Sequence, residues 1–210
     1  MIEDILRAVL GMPPGAHKIN ADLAAMRQFS KPVVDQLIPW KEEKELEIMS
    51  LNCHFHSRKK GFDKIQFGSI QSIYYEPMVA FAYKDYVKGS RDALLYCRTT
   101  GMEFVYRIMK REVNVYFNGN HVALLDLQNT LHGLRSKNVL GGVRPYSNDL
   151  LSIFVQGKDV GHLFNPDRPH SDQQRAFYVM ANLGEEEEYI FLALGLYEIL
   201  TRVLANKKKK

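Results

Sequence analysis

The sequence predicts a mainly β fold with added helices. An antiparallel β-barrel, or a set of tightly curved sheets, would lie around or against a hydrophobic C-terminal helix, with further helices at the N-terminus. Three observations carry that expectation. From about Leu46 to Met180, short apolar runs with partial alternation are separated by turn signals, the pattern of many short strands. Residues 185–206 carry an acidic run followed by nine uncharged residues, Tyr189 to Tyr197. Residues 1–40 instead show a helical period.

Taken in order, Ile2, Ile5, Leu6, Val9 and Leu10 stand at i, i+3, i+4, i+7 and i+8, the apolar stripe of an amphipathic helix. Gly11 and Pro13-Pro14-Gly15 end it. A second helix is expected from an N-cap at Asn20 through Leu23 and Met26 to Phe29. Ser30 and Lys31-Pro32 would restart a short helix that Pro39 stops. Lys41 to Glu45 reads as a solvated link, so residues 1–44 form a helical arm and 45–210 the β-domain.

Strand-like runs follow at 47–56, 64–75, 78–86, 93–99 and 104–110, divided by Lys60-Gly61, Lys88-Gly89-Ser90 and Thr100-Gly101. Two later hairpins look alike: Val113 to Leu125 turns at Asn118-Gly119, and Leu151 to Leu163 turns at Gln156-Gly157. Their glycines are 38 residues apart, which fits either an internal repeat or two hairpins with one solution to the same turn. Many short strands at even spacing point to a barrel or a sandwich.

The C-terminal segment decides the architecture. Glu185 to Glu188 at its start and Lys207 to Lys210 at its end complement a helix dipole at both ends. Its first turns are apolar all round, so they are buried on every side or lie in a membrane. A bilayer span needs about 20 apolar residues. Here Glu198 and Arg202 interrupt the run with the spacing of an intrahelical ion pair. The reading is therefore a helix at 185–206 engulfed by the chain's own strands, with no transmembrane span.

This order of elements, short antiparallel strands and then a final hydrophobic helix, resembles the tubby C-terminal-like fold of tubby proteins, LURP-one-related proteins and phospholipid scramblases. The resemblance covers about three quarters of the chain and rests on element order; the helices of residues 1–40 depart from it. It implies a closed barrel at about Glu45 to Met180 around the terminal helix, and lipid-headgroup or membrane-surface association for some members. No binding residue is carried over.

Composition narrows the function classes. The chain has 210 residues, 46% hydrophobic and 25% charged, which excludes a disordered tail, a collagen and a disulfide scaffold. Lys207 to Lys210 supply four of the 28 basic residues, and the other 24 balance 24 acidic ones. The basic surplus thus sits in the tail, and no nucleic-acid partner is expected. Cys53 and Cys97 lack metal or redox spacing, and Met-Ile-Glu-Asp does not open a signal peptide. A cytoplasmic protein, peripheral at a membrane where it binds one, is the expectation.

No nucleophile elbow, phosphate-binding loop, dinucleotide fingerprint or zinc-protease motif occurs, so the balance leans away from an enzyme and no cofactor is called for. The lipid- or anion-binding candidates are Arg58, Lys59, Lys60 and Lys64, with Phe62 interleaved. Strand periodicity places His54 and His56 on one face as candidate metal ligands, with no third ligand nearby in sequence. Asp167, His170 and Asp172 gather in a Pro-rich loop that reads more simply as a surface turn. Tyr96, Tyr106 and Tyr116 recur as barrel-wall packing. The function expected is a non-enzymatic tubby-like module for an anionic lipid surface or a protein partner. The alternatives are an enzyme with a scattered site at the barrel mouth, and a structural protein that forms a homodimer through its N-terminal helix.

Overall fold

The computed structural model describes residues 13–40, 43–60, 63–86, 91–169, 171–179 and 182–209. The expected Ile2–Leu10 helix lies outside them. Helix α1 (Ala16–Val34) is followed by a 3-10 turn (Glu43–Ile48) and twelve strands. These are β1 (Met49–Lys60), β2 (Asp63–Ser72), β3 (Pro77–Asp85), β4 (Ala93–Arg98), β5 (Glu103–Ile108) and β6 (Val113–Phe117). Then come β7 (Asn120–Leu125), β8 (Thr130–Gly133), β9 (Val139–Pro145), β10 (Leu150–Val155), β11 (Lys158–Phe164) and β12 (Phe177–Val179). Helix α2 (Glu185–Lys209) ends the chain.

Each strand pairs antiparallel with the next, in one sheet of simple sequence order. The sheet curls until its ends nearly meet. Ser50 bridges Arg175, the Leu51 amide donates to the Gln174 carbonyl at 3.1 Å, and the Ala176 amide donates to Met49 at 2.7 Å. Curling removes most of the unpaired edge that an open sheet would expose. The barrel expected from the sequence is therefore the architecture found.

Helix α2 fills it. Every residue from Ile190 to Leu200 is buried, and Leu192, Leu194, Leu196 and Ile199 are at most 1% exposed. The Tyr106 hydroxyl, on the inner face of β5, donates to the Ala193 carbonyl at 2.8 Å. At Gly195 an added Cβ would meet the Phe177 ring at 2.6 Å, so only glycine lets β12 approach this closely. The acidic first turn caps the helix: Glu187 accepts from the Gly184 amide at 2.9 Å, and Glu188 accepts from the Trp40 indole at 2.8 Å. The expected Glu198–Arg202 pair forms at 2.6 Å, with Glu198 buried.

The two similar hairpins share more than their turns. Both place successive residues at positive φ, 46° and 82° at Asn118-Gly119 and 49° and 82° at Gln156-Gly157. Both shift register one step before the turn, between Val115 and Tyr116 and between Ile153 and Phe154. Tyr116↔His121 and Phe154↔Asp159 are equivalent pairs.

Helix α1 corrects two expectations. It starts at Ala16 after an extended Gly15, not at Asn20, and passes through Pro32 without a break. Pro32 lies in the last turns, where one lost amide bond is tolerable and packing outweighs it. Its buried face covers the outer surface of β2–β5, in a second apolar cluster of Met26, Ile65, Ala82, Leu94, Tyr96 and Val105. Strands β3 to β5 are thus buried on both faces, which explains continuous apolar runs such as Met78 to Tyr83. The tyrosines accordingly divide: Tyr106 packs inside, while Tyr96 and Tyr116 lie under α1.

A polar lock sits beneath α1. The buried Lys84 ammonium lies 2.9 Å from Asp22, which also meets Lys18 at 3.2 Å. Nearby, Arg107 reaches Asp92 at 2.6 Å and stacks over Tyr86.

Two stability outcomes follow. Leu194→Asp buries an unpaired charge in the barrel and should cost more than about 4 kcal/mol, abolishing the cooperative melt; an unchanged melting temperature would refute the engulfed helix. Lys84→Ala removes the buried partner of Asp22 and leaves it only the half-buried Lys18, so it should cost about 2–4 kcal/mol in chemical denaturation. A loss under 1 kcal/mol, an order-of-magnitude surface value, would mean the pair is not desolvated.

Candidate functional site

Antiparallel alternation brings the β1–β2, β3–β4 and β5–β6 connections to one end of the barrel. Helix α2 also ends there. Its Arg202 pairs with Asp167 at 2.5 Å, Asn206 donates to the same carboxylate at 3.2 Å, and both bonds anchor the β11–β12 connection. Burial disfavours the Arg202 charge, but Glu198 and Asp167 outweigh it and raise its pKa. Asp167 of the Pro-rich loop is therefore a structural anchor; His170 lies outside the described residues.

The predicted basic residues gather at this end. In the β1–β2 register Lys59 faces Lys64 directly, and Arg58 faces Ile65. Like charges placed opposite each other destabilise a ladder. Pairing of β2 with β3 stops at Gln66↔Tyr83, so the basic hairpin end reaches past its registered neighbour. Alternation puts Lys59 on the face that carries Phe55, and Arg58 on the opposite one, over the Phe29 ring of α1 at 4.9 Å. The Lys207 ammonium lies 4.0 Å from the Phe55 ring centroid. The tail and the hairpin, about 145 residues apart in sequence, thus meet at one corner. Arg58, Lys59, Lys64 and Lys207 are exposed, and none makes an ion pair with a described residue. The backbone of Lys60 continues the ladder to Asp63.

His54 and His56 share the outer face as expected, with ring centroids 4.7 Å apart, and His56 leans on Phe67. Among the described residues no third His, Cys, Asp or Glu completes a metal-binding group.

Beside the basic corner lies a mouth cavity of about 380 Å³, walled by Tyr83, Arg91, Tyr197 and Leu204. The Tyr83 hydroxyl donates to Asp85 at 2.5 Å, and Arg91 donates to the Tyr197 hydroxyl at 3.0 Å. Burial raises both phenol pKa values, with Asp85 adding to the effect at Tyr83 and Arg91 opposing it at Tyr197. Among the described residues no Ser, Thr or Cys side chain is hydrogen-bonded to a histidine.

Compared with family models, curated proteins and solved structures, the chain matches none.

Lys207 of the four-lysine tail joins the basic corner, a meeting with the hairpin that no sequence pattern shows. Sequence reasoning also missed the mouth residues Tyr83, Arg91 and Tyr197. No local pattern singles these three out, since they come from β3, the β3–β4 connection and α2.

The thiols give a pH test. Burial pushes the Cys53 pKa up to about 12, with Lys207 pulling the other way, and burial then Cys53 holds Cys97 well above its usual value. The neutral thiol is thus favoured in the folded state. At pH 10 Cys53 should stay largely protonated, whereas an unfolded cysteine is almost wholly ionised. Cys97 should react slowly with a disulfide reagent until guanidinium unfolds the chain, and the half-buried Cys53 should be slowed by its raised pKa. Rapid native labelling of Cys97 at pH 8 would contradict its buried placement.

Proposed function

We propose that the protein is a non-enzymatic, tubby-like binding module whose basic barrel corner meets an anionic phospholipid surface. One observation carries this reading: Arg58, Lys59, Lys64 and Lys207, from two distant parts of the chain, converge at one end without an acidic partner among the described residues. A ladder that sets Lys59 against Lys64 accepts repulsion, which an anionic surface would relieve. No helix among the described residues is long and apolar enough to cross a membrane, so contact would be peripheral. The cytoplasmic leaflet carries the anionic lipids that such a corner would meet.

The affinity expected is small. Each cation near an anionic surface contributes about 1 kcal/mol, so these four give roughly 4 kcal/mol, a millimolar constant. Lys60 and Lys208 to Lys210 stand next to them in sequence and would add to it.

Sedimentation with phosphatidylserine vesicles at low salt should deplete the supernatant. Neutral vesicles should not, and salt above the physiological range should release the protein. Lys59→Glu with Lys64→Glu, or removal of residues 207–210, should weaken binding about tenfold or more. Equal recovery from neutral and anionic vesicles at both salt levels would overturn the lipid reading and favour a protein partner.

A further inference from the structure

A second recess, away from the basic corner, lies between α1 and the outer face of β4–β6. Its volume is about 290 Å³. Ile19 and Leu23 form the helical wall, Leu94, Val105 and Tyr116 the sheet wall, and the exposed Asn20 stands at the lip. Two cations line it, Arg27 and Arg107, and no carboxylate does.

Those two cations differ. Arg27 is engaged by Glu103, with Nη2 at 2.5 Å and Nε at 3.2 Å from its two oxygens. Arg107 is only 6% exposed, and its Nη1 is crowded. That nitrogen donates to the Ile108 carbonyl at 2.5 Å and the Ala93 carbonyl at 3.1 Å, and lies 2.6 Å from Asp92. Its Nε and Nη2 make no hydrogen bond, yet neither is sealed from solvent. A guanidinium offers five N–H donors, and those on Nε and Nη2 are open to an acceptor from outside the protein. The Nε–Nη2 edge is the side that takes both oxygens of a carboxylate in parallel. Arg107 lines the recess, so a largely apolar space meets a mostly buried guanidinium whose Nε and Nη2 hold no protein acceptor.

We propose that this recess binds a free medium-chain fatty carboxylate, its headgroup on the Nε–Nη2 edge of Arg107 and its chain along Ile19, Leu23, Leu94 and Val105. A small inorganic anion would leave the apolar walls wet. A neutral alcohol would leave the fork unpaired. The proposal is independent of the lipid-surface reading, since it uses none of the corner residues.

The test is calorimetric titration of the full chain with sodium decanoate below its micelle concentration, beside 1-decanol and inorganic phosphate. Decanoate should bind saturably at one site, and decanol and phosphate about tenfold or more weaker. Intermolecular NOEs should run from decanoate methylenes to the Leu23 and Val105 methyl groups. Arg107→Lys keeps a charge near Asp92 but removes the fork, and should weaken decanoate about tenfold or more. Asn20→Trp fills the lip from an exposed position and should abolish binding with the melting temperature kept. Absence of saturable binding would overturn the proposal, as would equal affinity for decanol, unchanged binding in Asn20→Trp, or NOEs confined to other residues. Should Arg107→Lys fail to fold, Asn20→Trp and the NOEs decide.

Discussion

A helix that is apolar on every side has no stable orientation on a protein surface, because any exposed face leaves large hydrophobic groups in water. Helix α2 meets that condition from Ile190 to Leu200, and the sheet is arranged around it. Strands from many parts of the chain turn a face inward, and several approach through glycines. At Gly141 an added Cβ would meet the Phe154 carbonyl oxygen at 2.6 Å and Ile190 at 3.0 Å. Charge is confined to the two ends of the helix, with Glu187 and Glu188 at its start and Arg202 beyond the buried run. Glu198 is the exception, and it is tolerated because Arg202 neutralises it one turn later.

Filling the barrel with its own helix limits where ligands can go. Space remains at the mouth beside the last turns of α2, and outside the sheet where α1 lies across β2–β5. The second location exists because α1 does not seal against the sheet along its whole length. Phe29 packs on Phe67 near its C-terminal part, while its first turns stand over the recess. Between them the Asp22–Lys84 contact fixes the helix at one point, so packing and electrostatics together set how far the recess opens.

Element order was readable because period is a local property. The strands, the terminal helix and its Glu198–Arg202 pair all follow from residues close in sequence. The course of α1 was not readable in the same way. Asn20 and Pro32 carry helix-boundary signals, and tertiary burial of Met26 and its neighbours overrides both. The division of Tyr96, Tyr106 and Tyr116 between two faces also required knowing that a helix lies outside the sheet. Of the candidate site, the hairpin cations were visible as a cluster. Their meeting with Lys207 depends on barrel closure and on where α2 ends, which no local pattern encodes.

Net charge misleads in this chain for a related reason. Outside the four-lysine tail the acidic and basic residues cancel in number, yet cancellation in number is not cancellation in space. Asp22, Asp92, Glu103, Asp167 and Glu198 are each held by a cation within the fold. Their partners come from α1, α2 and strands β3 and β5, so these acids are committed to holding helices and connections against the sheet. Arg58, Lys59 and Lys64 have no such commitment to a described residue, and the end of α2 brings Lys207 to the same corner. A balanced body can in this way present a local positive field. At physiological ionic strength that field extends only about 8 Å, so it acts on a surface in contact and not at a distance.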